Sequence, residues 1–168
     1  VIVRRESISL IAAKLQRYPE IAAVFGSYDD EPAEVNFISQ YRNMFHHFHH
    51  QHSDMEAFTF WAGCGAIKKG IFDKIGGFDQ KRYTKPSIED IELGYRICKK
   101  GYRILLEKDL QVKHLKQWGF LSMLRADIFQ RAIPWSHLIL ETKFLPKNLN
   151  LKLSHKISSI LVALLFLL

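Results

Sequence analysis

Two adjacent carboxylates, Glu89 and Asp90, stand in the segment Pro86-Ser87-Ile88-Glu89-Asp90-Ile91-Glu92-Leu93-Gly94-Tyr95-Arg96, and an acid so placed can take a proton from an attacking hydroxyl. The segment has the signals of a helix start. Pro86 bars an earlier beginning, Ser87 can cap, and acids fill the first turn, where the helix dipole favours negative charge. On a 3.6-residue period Glu89, Glu92, Arg96 and Lys99 form a polar stripe, and Ile88, Ile91, Tyr95 and Cys98 an apolar one. Asp90 belongs to neither stripe. It shares its side with Leu93, Gly94 and Ile97, so its carboxylate is expected to face protein or a cleft, with Gly94 open to a close approach. A competing assignment stands beside this one: Ser87-x-x-Asp90 nearly has capping-box spacing, which would make the carboxylate a cap. As a helix-start acid, Asp90 is expected to be ionised and, for the same reason, a weakened base.

Other groups with chemical potential lie on both sides. Gly63-Cys64-Gly65 follows the aromatic run Phe58-Thr59-Phe60-Trp61, and its glycines admit either a ligand or a crossing strand. His46, His47, His49, His50 and His52 crowd one stretch. His46 and His50, at i and i+4, could share a metal ion, although no Cys ligand or His-Glu-x-x-His pattern accompanies them. Lys116, Trp118, Arg131 and Trp135 supply side chains suited to phosphates and sugars: Arg grips phosphate in bidentate fashion, and an indole stacks on a sugar or sits at a membrane interface. Asp29-Asp30, in the turn-rich run Ser27-Tyr28-Asp29-Asp30-Glu31-Pro32, reads as a solvated turn, with contact to substrate or metal the alternative because loops at the carboxyl ends of strands tend to hold ligands.

The elements that must hold these groups alternate between strand and helix. Val1-Ile2-Val3 reads as a piece of a buried strand. Residues 5–18 read as a helix with Ile8, Ile11, Ala12 and Leu15 inward, closed by Pro19, and residues 21–26 as a central strand. Residues 34–52 read as a long helix with Phe45 and Phe48 against other structure. Residues 58–67 read as a strand, and 68–75 as a short helix ended by Gly76-Gly77, while Gly101 ends the helix of Asp90. Residues 102–106 and 110–114 read as two short strands around a turn at Glu107-Lys108-Asp109, with His114 at the second strand's end. Cys64 and Cys98 read as reduced thiols inside regular segments. The alternation predicts an α/β fold.

The ordered blocks Gly76-Gly77-Phe78-Asp79, Glu89-Asp90 and Leu93-Gly94-Tyr95-Arg96, within residues 60–135, resemble the acceptor-side half of a family 2 glycosyltransferase, an inverting class with the GT-A fold. The resemblance implies a partial GT-A domain with a mixed sheet over residues 1–135, a basic membrane-proximal linker over 136–156, and the start of a truncated transmembrane helix over 157–168. It implies that Asp90 is the general base with Glu89 as an orienting partner, and that Gly63, Cys64 and Gly65 border the sugar donor and the acceptor entrance. His114 would face the donor diphosphate or its divalent cation, Mg2+ or Mn2+. Lys116, Trp118, Arg131 and Trp135 would frame donor and acceptor, although Gln130-Arg131-Ala132-Ile133-Pro134-Trp135 has the residue types of the family's Gln-x-x-Arg-Trp motif and not its spacing. The implied partners are a nucleotide-diphospho-sugar donor, a lipid-linked or polysaccharide acceptor, and a membrane. The family's metal-binding Asp-x-Asp motif does not occur in this sequence, and the resemblance places it ahead of Val1. The 168 residues by themselves are therefore expected to be inactive.

Composition bounds these expectations. A chain 48% hydrophobic and 12% aromatic is globular, and its net charge of +7 is unevenly spread: residues 1–95 carry 11 Lys and Arg against 13 Asp and Glu, residues 96–168 carry 13 against 4. That pattern suits an anionic membrane surface or a phosphorylated ligand. No zinc-finger, RNA-recognition or helix-turn-helix signature supports a nucleic-acid partner. The last 12 residues are apolar apart from Ser158 and Ser159, fewer than the roughly 20 a bilayer span needs. Lys143, Lys147, Lys152 and Lys156 precede them with no acid after Glu141, which orients the domain to the cytoplasmic side of a membrane. Starting at Val1 and stopping within the apolar run, the chain reads as a piece of a longer protein. A non-catalytic, membrane-tethered basic binding module of the same fold is the rival expectation.

Overall fold

The computed structural model describes residues 1–144 and, beyond them, 157, 158 and 161. The expected basic linker past residue 144 and the expected membrane helix at 157–168 lie, apart from those three positions, outside the described residues. Among the described residues no helix is long and apolar enough to cross a membrane.

The centre is a strand, β2 (Ile21–Tyr28), in which every residue is buried. A run such as Ile-Ala-Ala-Val-Phe, with no polar alternation, suits a strand covered on both faces. β2 pairs in parallel with β5 (Arg103–Lys113) and antiparallel with β4 (Gly65–Ile67). β1 (Ile2–Val3) and β3 (Glu56–Ala57) pair antiparallel with the other edge of β5. The chain is thus α/β, as the alternating pattern predicts, with a mixed five-stranded sheet. One face is covered by α1 (Ser7–Arg17), whose Ile11 and Leu15 meet Val24 and Leu105. The other face takes α4 (Glu89–Lys99), whose Leu93 and Ile97 meet Phe25, Ile104 and Leu106, and beside it α2 (Phe37–Gln51). A short α3 (Lys69–Lys74) ends at Gly76 and Gly77, both at positive φ. Its exit is clipped to α4: Arg96 donates to the carbonyls of Ile75 and Gly77, each at 2.6 Å.

Several sequence expectations are corrected here. Val1, Ile2 and Val3 are each more than half exposed, because β1 is an outer edge and not an interior strand. On α1 the inward face carries Ser7, Ile11, Lys14 and Leu15, while Ile8 is 77% exposed and Ala12 faces solvent. Lys14 reaches the buried Glu107 at 2.5 Å. Residues 58–67 are not one strand: 58–64 form a loop between β3 and β4, because the Ala62 amide bonds to the Asp90 carboxylate instead of a strand neighbour. The two strands expected at 102–114 are one, β5, with a bulge. Phe25 aligns with Leu106 but Ser27 with Gln111, so Glu107-Lys108-Asp109-Leu110 is looped out of register. Gly26 makes this possible, since a Cβ there would fall on the Leu110 carbonyl.

Past β5, residues 120–142 are one continuous helix with three parts: α5 (Phe120–Arg125), a π segment (Ala126–Ala132) and α6 (Ile133–Thr142). Pro134 lacks an N–H and cannot serve the Gln130 carbonyl one turn back. The Ser87 hydroxyl donates to that carbonyl instead, at 2.8 Å, tying the loop before α4 to the π segment.

Candidate functional site

Ser87 is therefore committed elsewhere and does not cap α4, and the capping-box assignment for Asp90 fails. The backbone N–H of Ser87 donates to Glu89 Oε2 at 2.6 Å, so Glu89 does the local work at the helix start and does not line the cleft described next. That leaves Asp90 free to be aimed. Its Oδ2 accepts from the Ala62 amide at 3.0 Å and its Oδ1 from the Ile91 amide at 2.8 Å. The helix can come this close to the 58–64 loop because residue 94 is glycine: a Cβ there would strike the backbone of Thr59 and Phe60. Asp90 is only partly covered, yet it lies low in a cleft, and burial raises its pKa above the usual carboxylate value. The two amide bonds oppose that rise and Glu89 adds to it. Burial thus outweighs the backbone hydrogen bonds that favour the ionised form, and Asp90 is a stronger base than an ordinary carboxylate, not a weaker one.

The cleft above Asp90 has a volume of about 430 Å³. Its walls are largely aromatic, with Phe60 and Trp61 from the loop, Tyr28 from the end of β2, Phe45 and His50 from α2, and Trp135 from α6. Trp61 packs edge-on against Tyr28 with ring centres 4.6 Å apart, and the Trp135 indole N–H donates to the Tyr95 hydroxyl at 2.9 Å. Burial pushes the Tyr28 hydroxyl up to about 12, so it remains a neutral donor.

Tyr28, Arg42, His46 and Arg131 are shared with a second, smaller recess of about 130 Å³, completed by His114, Lys116 and Trp118. This recess is cationic. Trp118, 5% exposed, has Lys116 Nζ 3.8 Å from its ring centre, with the Arg42 and Arg131 guanidinium carbons at 5.8 and 5.9 Å. Two of the three cations meet one carboxylate, Asp127, which Arg42 holds in bidentate fashion and Arg131 reaches at 2.9 Å. The π segment supplies both Asp127 and Arg131, four positions apart on one side of a widened turn. Crowding leaves its mark on Lys116, whose pKa is lowered by burial and then by Arg131 and Arg42. The indole N–H of Trp118 and the Nε–H of Arg42 are buried without an acceptor among the described residues. A recess with surplus positive charge and unused donors is built to receive an anion.

α2 positions this wall by an inversion. Its buried residues are Ser39, Arg42, Asn43 and His50, a polar set recurring on one helical face. Phe48, expected against other structure, is 57% exposed, and Phe37 is 77% exposed. Asn36 caps the helix, accepting from the Ser39 amide at 3.0 Å. The Ser39 hydroxyl accepts from the Trp118 amide at 2.7 Å, and Asn43 donates to the Asp29 carbonyl at 2.7 Å. Asp29 is buried beside Lys113, not solvated as expected, and only Asp30 is exposed.

Of the residues singled out in the sequence, Asp90, Arg131, Trp135, Lys116, Trp118 and His114 converge on this joined site. Gly63, Cys64 and Gly65 stand behind it. A Cβ at Gly63 would strike the Trp61 ring and one at Gly65 the Phe60 ring, so these glycines let the aromatic walls lie where they do. Cys64 and Cys98 are both free thiols. Arg42 and Tyr28 went unrecognised in the sequence, and Asp127 was noted beside Arg131 without a role; the signal for Arg42 was the polar period Ser39, Arg42, Asn43, His46, His50.

Burial, with the amino-terminal ammonium, Lys116 and Arg131 adding, lowers the His114 pKa to about 4, and its ring lies 4.3 Å from that of Tyr28. Burial also lowers His50 to about 4 and holds His46 well below the ordinary range. These neutral imidazoles could ligate a metal, yet among the described residues no three His, Cys, Asp or Glu side chains converge. The neighbours of His114 are cations. This donor set does not by itself fit a divalent ion, and no step below runs through one. Compared with protein-family models, curated proteins and solved structures, the chain has no match.

Proposed function

We propose that this chain is the acceptor-side part of a membrane-associated, GT-A-like inverting glycosyltransferase that moves a sugar from a nucleotide-diphospho-sugar to an acceptor hydroxyl. The observation that carries this reading is the opening of the Asp90 cleft into the cationic recess through the shared walls Tyr28, Arg42, His46 and Arg131. Such a pair of compartments suits a reaction that needs a base at one end and a home for departing negative charge at the other. Asp90 accepts the proton of the acceptor hydroxyl as its oxygen bonds to the anomeric carbon. The bond from that carbon to the diphosphate breaks on the opposite side, and Arg42, Lys116 and Arg131 take up the charge of the leaving group. Trp61 and Trp135 offer ring faces to the sugar. In the family this chain resembles, metal ligands come mainly from the Asp-x-Asp motif that the sequence lacks.

Asp90→Asn in the natural protein is expected to lower transfer from a radiolabelled nucleotide sugar about 10²–10⁴-fold, with nucleoside-diphosphate binding retained. Near-normal turnover in that variant would sink the assignment. Glu89→Gln is expected to do less, since Glu89 braces the helix start and lies off the cleft.

A further inference from the structure

The histidines of α2 and its end divide by what their rings do. His47 Nδ1 donates to the Tyr28 carbonyl at 2.8 Å and His52 Nδ1 to the Phe48 carbonyl at 2.9 Å, so both are engaged with backbone. His46 and His50, one turn apart, instead line the Asp90 cleft. Neither imidazole has a hydrogen-bond partner among the described residues, and the Nδ1 of His50, a residue only 8% exposed, is fully buried without one. Their neighbours are rings. His50 packs edge-on against Phe25 and Trp61, with ring centres 5.9 and 5.2 Å away, and His46 lies edge-on to Tyr28 at 5.7 Å. The two imidazoles are themselves 6.4 Å apart.

Polar side chains left without partners in an apolar wall cost folding energy, and mostly apolar pockets use a few such groups to orient what they bind. Burial holds both rings neutral, and a neutral imidazole offers one N–H donor and one bare nitrogen as acceptor. A carboxylate or an ionised phosphate brings mainly acceptors, which leaves the bare nitrogen facing lone pairs, and the recess of Arg42, Lys116 and Arg131 suits such an anion better. A hydroxyl donates and accepts at once, so it satisfies either nitrogen. Two neutral imidazoles on one helical turn, in a cleft that also holds the indoles of Trp61 and Trp135, therefore match a polyhydroxylated ring with an apolar face.

The place of the two histidines says which ring. His46 lines the cationic recess as well as the cleft, whereas Asp90 and His50 line the cleft alone. A sugar in transit has to lie between the base and the site that receives its departing diphosphate, and His46 stands at that junction. We propose that His46 and His50 hydrogen-bond the hydroxyls of the transferred sugar and so determine which nucleotide sugar the protein uses. This rests on the function proposed above and goes beyond it in naming the residues that choose the sugar.

The test is calorimetric titration of the natural protein with UDP-glucose, UDP-galactose, UDP-N-acetylglucosamine, GDP-mannose and dTDP-glucose, each beside its bare nucleoside diphosphate. For the sugar nucleotide that binds wild type most tightly, His50→Phe is expected to lower affinity roughly tenfold and to leave affinity for the bare diphosphate within about twofold. His50→Gln, whose amide keeps a donor and an acceptor, is expected to recover most of that loss. In a series of monodeoxy donors, one is expected to bind wild type about tenfold more weakly than the parent sugar nucleotide and to bind His50→Phe no more weakly than the parent does. Unchanged sugar-nucleotide affinity in both His50→Phe and His46→Phe would overturn the proposal. An equal loss for the bare diphosphate would overturn it too, by showing that His50 only holds α2 in place. Should His50→Phe unfold the protein, His50→Leu carries the same comparison. If no sugar nucleotide binds wild type, the function proposed above falls and this proposal with it; if they bind and the histidine variants are indifferent, this proposal alone falls.

Discussion

α4 and α2 pack on the same face of one sheet and are built in opposite senses. α4 buries Leu93 and Ile97 completely; α2 buries Ser39, Arg42, Asn43 and His50 and turns Phe37 outward. The first arrangement lowers free energy through apolar burial. The second leaves Arg42 Nε, Asn43 Oδ1 and His50 Nδ1 without partners among the described residues, each a cost to folding. A helix that buries polarity against its own stability marks where the molecule meets a ligand. α4 belongs to both halves of the contrast: its inner face holds the sheet, and its first turn delivers Asp90 to the cleft.

The contrast can be broken by mutation. Leu93→Ala should cost about 3 kcal/mol in urea unfolding, as deletion from a filled core does. Arg42→Met should cost less, about 1–2 kcal/mol, because Asp127 keeps Arg131 and some solvent; its main effect should be lost affinity for a nucleoside diphosphate, read by calorimetry. If Arg42→Met destabilises as much as Leu93→Ala and leaves binding intact, α2 is a structural helix and the contrast dissolves.

Acid should separate the two regions further. The folded-state pKa values of His50 and His114 lie near 4, below the usual histidine value, so the unfolded chain binds more protons as pH falls. Their stabilising contribution is present above about 6.5 and is lost as pH drops toward 4. The raised pKa of Asp90 acts in the opposite sense: folding holds its proton more tightly, so its contribution declines as pH rises through its titration. Urea melts between pH 7 and 4 should show falling stability, flattened in His50→Phe, whereas Leu93→Ala should shift the curve down without changing its shape. Smallest of all, Phe37→Ser should change stability by no more than about 0.5 kcal/mol, since its ring already faces solvent. A larger loss would mean that the outward aromatics of α2 are packed after all.

Much of the frame was legible residue by residue. The start of α4 at Glu89 followed from Pro86 and the acidic first turn, and the end of α3 from Gly76-Gly77. The close approach at Gly94 could be anticipated because Asp90, Leu93 and Ile97 share its side. What escaped was whatever depended on a distant partner. β5 appeared as two strands because a bulge looks like a turn in sequence, and only pairing with β2 across Gly26 shows otherwise. Ser87 appeared as a cap because its competing acceptor, the Gln130 carbonyl freed by Pro134, lies 43 positions away.

The sequence by itself determined the α/β class, the glycine stops after α3 and α4 and the placement of Asp90 on the inner side of its helix, because glycine stops and hydrophobic period act within a turn or two. The tertiary structure decided which face of α1 and α2 points inward, that Asp127 is gripped by two arginines, and that burial outweighs the backbone hydrogen bonds at Asp90. Those outcomes depend on what stands opposite each side chain and how much water remains there, which are properties of the folded neighbourhood and not of the local chain.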